Sequence, residues 1–290
     1  SKLSTLIMDL LSIIWDVNPV ALSLGPLEIR WYGVIYALGF FIAINIIGKT
    51  FKHDGAPEEW LDKVFVYFIL AVIVGSRLGH VFFYDWAYYS QHPLEIFMIW
   101  RGGLASHGGA AAMLLTAWLL SKYMTKQNIF WLGDRVFVGS ALVASMIRIG
   151  NLMNSEIYGE PTDLPWGFVF VRGDINNTIP CHPTQLYESL AYLLVFFLLL
   201  WLYWKKDAGK YNGLLTGVGF LGIFVSRQII EIIKNPQSDF EVEMTYNMGQ
   251  WLSVPFIILG LVLVVRALIN GPVEYHLPKI DTKPETNKKK

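Results

Sequence analysis

Residues 139–160 read GSALVASMIRIGNLMNSEIYGE, an apolar stretch long enough to lie in a bilayer, with an arginine at position 148. An unpaired guanidinium in hydrocarbon costs several kcal/mol at least, so Arg148 must face a cavity, a partner or a ligand. Asn151, Asn154 and Glu156 follow it closely. Their spacing predicts a helix that runs on through them and lines up polar groups at i, i+3 and i+6, a stripe at the end of a membrane span.

The rest of the chain agrees with a membrane setting. Of 290 residues 54% are hydrophobic and 16% charged, with eleven tryptophans and a mean hydropathy of +0.43, outside the balance of a soluble domain. A formal net charge of zero gives no support to a nucleic-acid partner held by phosphate neutralisation. The one cysteine, Cys181, excludes an internal disulfide, and no pair among the six histidines has HxxxH or HExxH spacing, so neither metal nor other cofactor is expected.

Working outward, we expect an all-α integral membrane protein with seven transmembrane helices, near 31–49, 64–84, 103–121, 131–148, 185–204, 213–233 and 249–268, each about the length a 30 Å hydrocarbon core requires. Residues 1–30 read as an N-terminal interfacial amphipathic helix over 1–18, then a surface hairpin turning at Gly25-Pro26. Transmembrane helices one to four fill 31–150, an extracytoplasmic arm or head 151–184, helices five to seven 185–270, and a disordered tail 271–290. The arm contains a strand-like WGFVFV. Lysines after the first, third and fifth spans and at the C-terminus place those sides in the cytoplasm, and the N-terminus opposite.

Four polar clusters sit in or beside these spans. Arg77 in the second lies near its end, where snorkelling to the interface competes with a functional role. In the third, RGGLASHGG sets Gly102, Gly103, Gly108 and Gly109 around His107. The glycines fit either close helix packing or the approach of a ligand, and the imidazole is a natural proton acceptor near neutral pH. At the start of the fifth, His182, Gln185 and Glu188 follow one another at i, i+3 and i+6 beside Pro183 and Tyr187, a pattern that serves capping as readily as binding. In the sixth, Arg227 and Glu231 stack at i and i+4. That pair alone is a poor source of stability in a membrane, so a shared anionic ligand makes better sense of it. Two intramembrane arginines thus point to an anionic lipid whose phosphate suits the guanidinium fork.

The motifs RGGLASHGG, RIGNLMNSE with Gly159 following, HPTQLYE, and WYG at Trp31 to Gly33 closely resemble those of the phosphatidylglycerol–prolipoprotein diacylglyceryl transferases of bacterial inner membranes. The resemblance runs from about residue 20 to 268. It implies transfer of the diacylglyceryl group of phosphatidylglycerol to the lipobox cysteine of a prolipoprotein signal peptide, with glycerol phosphate leaving. It also implies that Tyr32, His107, Arg148, Asn151, Glu156, Gly159, Arg227 and Glu231 are the important positions. Where the family carries a tyrosine one turn before the arginine of the sixth span, this chain has Ile223, so a hydroxyl contact from that position is absent or supplied elsewhere.

A thiol of pKa about 8.5 is only a few per cent ionised at pH 7. Arginine charge would lower that pKa, His107 would take the proton, and Arg148 and Arg227 would stabilise the departing phosphate. The alternative is a carrier or channel for an anionic solute, which intramembrane arginines also line. A magnesium-dependent phospholipid synthase would need clustered aspartates in the spans, and none is present.

Overall fold

The computed structural model describes residues 12–99, 103, 106–235, 246 and 248–278, with backbone alone at 106, 107 and 248. The chain opens with strands β1 (Ile13–Trp15), β2 (Val20–Leu24) and β3 (Leu27–Arg30). It continues through helices α1 (Trp31–Asp54), α2 (Glu58–Phe83), α3 (Ser106–Leu119) and α4 (Ile129–Met153), strand β4 (Phe168–Phe170), and helices α5 (Thr184–Lys206), α6 (Leu214–Ile230) and α7 (Met248–Asn270).

All of these helices but α3 are long and apolar enough to cross a membrane by length and composition, six in the described residues. This is an all-α, multi-pass membrane protein. The third expected span, 103–121, is cut differently from the others. Its α-helix has 14 residues, about 21 Å at 1.5 Å per residue, short of a hydrocarbon core of about 30 Å. It then winds on as a π-helical stretch, Leu120–Thr125, that ends at left-handed Lys126.

The described chain divides into two compact units. The first comprises residues 1–45 and 136–273. Here β2 and β3 form the expected hairpin, pairing Leu24 with Leu27 around Gly25 at φ +61°, the positive φ that a two-residue hairpin loop takes from glycine. Helices α6 and α7 approach so closely that a Cβ on Gly217 would lie 2.9 Å from the Gly260 carbonyl oxygen, the small-residue contact of membrane helices. Phe220, Phe224 and Phe256 fill the space beside it.

The arm belongs to this unit. Strand β1 runs parallel to β4, and Trp15 joins Leu152, Tyr158, Phe168, Phe170, Cys181 and Leu186 in a small apolar core. The amphipathic helix expected over residues 1–18 therefore does not extend to its far end. Ile13–Trp15 is a strand because the arm offers it an edge to pair with and a core for Trp15, whose indole donates to the Leu152 carbonyl at 2.9 Å. Residues 1–11 lie outside the described residues.

The second unit comprises residues 46–135 and 274–290. Helices α2 and α3 meet backbone to backbone. A Cβ on Gly108 would lie 2.1 Å from the Gly75 carbonyl oxygen, and one on Gly109 would lie 2.5 Å from Ser76 Oγ. Trp131, fully buried, packs on Phe51 and Trp60, and Arg135 pairs with Asp54 while lying 4.6 Å from the Trp131 ring. The tail is not loose at its start. In the first unit Val273 donates to the Lys210 carbonyl at 2.8 Å. In the second, Gln127 donates to the His276 carbonyl at 3.2 Å and Tyr275 stacks under Arg135. Residues 279–290 lie outside the described residues.

Candidate functional site

Helix α4 carries Arg148 and Asn151 on its last turns and stops at Met153. The expected continuation through Glu156 does not occur. Ser155 at φ +52° and Ile157 at φ +60° flank Glu156 in the left-handed region, where a β-branched residue is strained. The chain folds back, and Glu156 reaches the same neighbours by a turn. Asn151 Nδ2 donates to its Oε1 at 2.8 Å and Asn154 Nδ2 at 3.2 Å. Arg148 in turn donates to Asn151 Oδ1 at 3.2 Å. The ring of Tyr32 lies against this helix, 2.7 Å from where a Cβ on Gly150 would stand.

The start of α5 does not cap its own helix, since no side chain hydrogen-bonds at its N-terminus. Its polar groups brace the arm. Thr184 donates to the Ile157 carbonyl at 3.0 Å, and Gln185 to the Glu156 carbonyl at 2.8 Å. These two bonds hold the strained turn on both sides. His182 Nδ1 lies 3.1 Å from the Tyr187 hydroxyl, which accepts from Trp166 at 2.8 Å. Burial lowers the His182 pKa and so favours the neutral imidazole.

Glu188, with no exposed side-chain surface, joins two cations in a longer chain of charges. Its Oε2 lies 3.0 Å from Arg148 Nε and its Oε1 2.9 Å from Lys234 Nζ. Lys234 is 3.0 Å from Glu231 Oε1, which in turn is 3.6 Å from Arg227 Nε. The five side chains thus alternate Arg148, Glu188, Lys234, Glu231, Arg227, three cations and two carboxylates. Both arginines belong to this one cluster, and their side chains keep 14% and 31% of their surface exposed while the other three are at or below 2%.

Lys234 is the participant that sequence reasoning missed. It stands three residues after Glu231, at a span end where snorkelling is the default reading of a lysine. The segment holding it is clamped to the arm by Gly159, where a Cβ would lie 2.6 Å from the Ile233 carbonyl oxygen and 2.7 Å from His182 Cβ. Asn235, also missed, donates to the Gly159 carbonyl at 2.7 Å. Gly159 is therefore a crossing point of backbones rather than an open surface. A cavity of about 380 Å³ opens beside Glu156, lined also by Ser155, Tyr158, Asp174, Ile175 and Asn235.

The remaining expected site residues lie in the second unit. Arg77 is buried and does not snorkel. It donates to the carbonyls of Glu95, Ile96 and Gly103 at 2.5, 2.8 and 3.1 Å and lies 4.9 Å from the Tyr89 ring, holding the loop before α3. Gly103 adopts φ +75° against Arg77 and His80. Gly108 and Gly109 serve the helix contact already described, because the α2 backbone at Gly75 and Gly79 and the Ser76 side chain fill the space beside them. His107 is in the first turn of α3, its side chain outside the description, and Gly102 lies outside the described residues. Among the described residues no group of three or more His, Cys, Asp or Glu is placed to hold a metal.

A multi-pass bundle that carries a buried chain of ion pairs, with a partly exposed arginine at each end, defines the class of membrane protein with a built charged site. The family is narrower than that class. Residues 19–266 match the family of prolipoprotein diacylglyceryl transferases, and the chain belongs to it. It is an enzyme, a membrane transferase of lipoprotein biosynthesis. It is similar to proteins named phosphatidylglycerol–prolipoprotein diacylglyceryl transferase from several bacteria. The one from Porphyromonas gingivalis is 47% identical over 270 residues, covering 89% of this chain and 95% of that protein. Those from Chloroherpeton thalassium and Tolumonas auensis are 43% and 42% identical, covering 90% and 87% of this chain and 97% and 96% of theirs.

Proposed function

We propose that this chain transfers the diacylglyceryl group of phosphatidylglycerol to the thiol of a prolipoprotein's lipobox cysteine, the first step of lipoprotein maturation. The observation that carries this reading is the alternating chain from Arg148 to Arg227, cationic at both partly exposed ends. Such ends grip a phosphate in a dry site, where charge-assisted hydrogen bonds are strong.

The sulfur attacks the glyceryl carbon that carries the phosphodiester, a thioether forms, and the carbon–oxygen bond to phosphate breaks. Glycerol phosphate leaves with the bonding electrons and one more negative charge than the diester had. Arg148 and Arg227 stabilise that charge. His107 takes the thiol proton. Asn151, Asn154 and Glu156 order Arg148 and the headgroup, Tyr32 lines the same side, and Glu188 and Glu231 orient the two guanidiniums. Gln185, His182 and Gly159 brace the turn, and Arg77 the loop before α3. The enzyme sits in the bacterial inner membrane with seven spans, its N-terminus and arm in the periplasm and its C-terminus in the cytoplasm.

The test is to incubate the purified protein with phosphatidylglycerol and a lipobox peptide and to look by mass for the diacylglyceryl adduct. Turnover conditions that yield no adduct would return the arginines to the reading of an anion carrier.

A further inference from the structure

We infer that Lys234 is a positioning residue that shares the charge of Glu188 and Glu231 with the two arginines, keeps either carboxylate from closing bidentately on its guanidinium, and so leaves N–H groups of both open to a phosphate. This rests on the reading of Arg148 and Arg227 as the anion clamp.

Lys234 Nζ donates hydrogen bonds to both carboxylates, at 2.9 Å to Glu188 Oε1 and 3.0 Å to Glu231 Oε1. The arginines face the same carboxylates without such alignment. Among the described residues, Glu188 Oε2 and Arg227 Nε are buried with no hydrogen-bond partner, although Arg148 Nε is 3.0 Å from the first and Glu231 Oε1 is 3.6 Å from the second. Each carboxylate thus accepts a hydrogen bond from the lysine, while its contact with an arginine is an ion pair without hydrogen-bond alignment at these atoms.

Chemistry explains why this matters. An arginine and a carboxylate left to themselves close into a bidentate pair. That closure would occupy the N–H groups that the phosphate needs and would neutralise the site. With Lys234 present, the five groups carry a formal charge of +1, three cations against two anions. Without it they carry zero, and each carboxylate is free to close on its own arginine. The lysine suits this task because its ammonium is a compact point charge with three donors, held here at no more than 1% side-chain exposure.

The experiment compares Lys234→Met, Lys234→Arg and Lys234→Met/Glu231→Gln with the parent enzyme. It measures KM for phosphatidylglycerol in mixed micelles, kcat, and inhibition by sn-glycerol phosphate. Lys234→Met is expected to raise KM and the inhibition constant together, by about tenfold, which corresponds to about 1.4 kcal/mol of lost anion binding. Lys234→Arg should stay within about threefold of the parent, and the double variant, which restores the charge of +1, should regain most of the anion binding. If Lys234→Met does not accumulate in the membrane, the double variant against Glu231→Gln alone makes the same comparison, and equal inhibition constants there overturn the inference. So does a Lys234→Met enzyme whose kcat falls while KM and the inhibition constant stay put. The clamp reading fails separately, if Arg227→Gln leaves inhibition by glycerol phosphate unchanged.

Discussion

Arg148 Nε lies 3.0 Å from Oε2 of a Glu188 that has no side-chain surface exposed to solvent. Removing that charge takes the carboxylate from Arg148 and leaves Lys234 with Glu231 alone, and breaking a buried pair from one side costs about 3–5 kcal/mol. Glu188→Gln should therefore lower the unfolding temperature in detergent and reduce kcat/KM by about 100-fold, near 2.7 kcal/mol of transition-state stabilisation. A variant with parental turnover would show that Arg148 needs no such partner.

Arg148→Lys should be more damaging than His107→Gln, since a lysine cannot reproduce the planar fork. The single-turnover rate of the parent should rise with pH along a limb that belongs to the His107 general base. In His107→Gln that limb should vanish and the rate should follow the substrate thiol, near 8.5. A His107→Gln enzyme that keeps most of its rate and the parental profile removes the general-base role.

Gly159→Ala places a Cβ within 2.6 Å of the Ile233 carbonyl oxygen, 2.7 Å of His182 Cβ and 2.8 Å of Thr184 Cγ2. Overpacking of this kind costs about 1–3 kcal/mol. Because Ile233 immediately precedes Lys234, activity should fall further than stability alone accounts for. Comparing specific activity with the folded fraction by thermal unfolding separates the two, and unchanged values of both would mean the backbones part without cost.

Cys181 is fully buried in the arm, and burial pushes its thiol up to about 11. The folded pKa lies above the unfolded one, so the thiol's contribution to stability is present below about pH 9 and is lost as pH rises toward about 11. Maleimide at pH 8 should label the folded protein slowly and the denatured protein at once. Cys181→Ala should keep more than half of the activity, and its loss would mean the arm's apolar core sets the geometry of the site.

Much of the bundle was legible in the chain because hydrocarbon tolerates few backbone solutions. A run of about twenty apolar residues must be helical to satisfy its own peptide groups, and the expected spans at 31–49, 131–148, 185–204 and 249–268 lie within α1, α4, α5 and α7. The third span was less readable, since its glycines at 108 and 109 mark packing against Gly75 as well as they mark a ligand. Arg77 read as an anchor near an interface. Its three carbonyl partners come from a loop about twenty residues away, which no helical periodicity reveals.

Composition and intramembrane charge by themselves determined a multi-pass protein with two arginines in its spans, and the long motifs determined its family. Only the tertiary structure decided how those arginines are held. Glu156 comes back to Asn151 past left-handed Ser155 rather than along a helix, and Lys234 joins carboxylates 46 and 3 residues away in the chain. The physical reason is range. Hydropathy and helical spacing are local properties of a sequence, whereas the pairing of buried charges is settled by whichever distant opposite charge the packed backbone brings within about 3 Å.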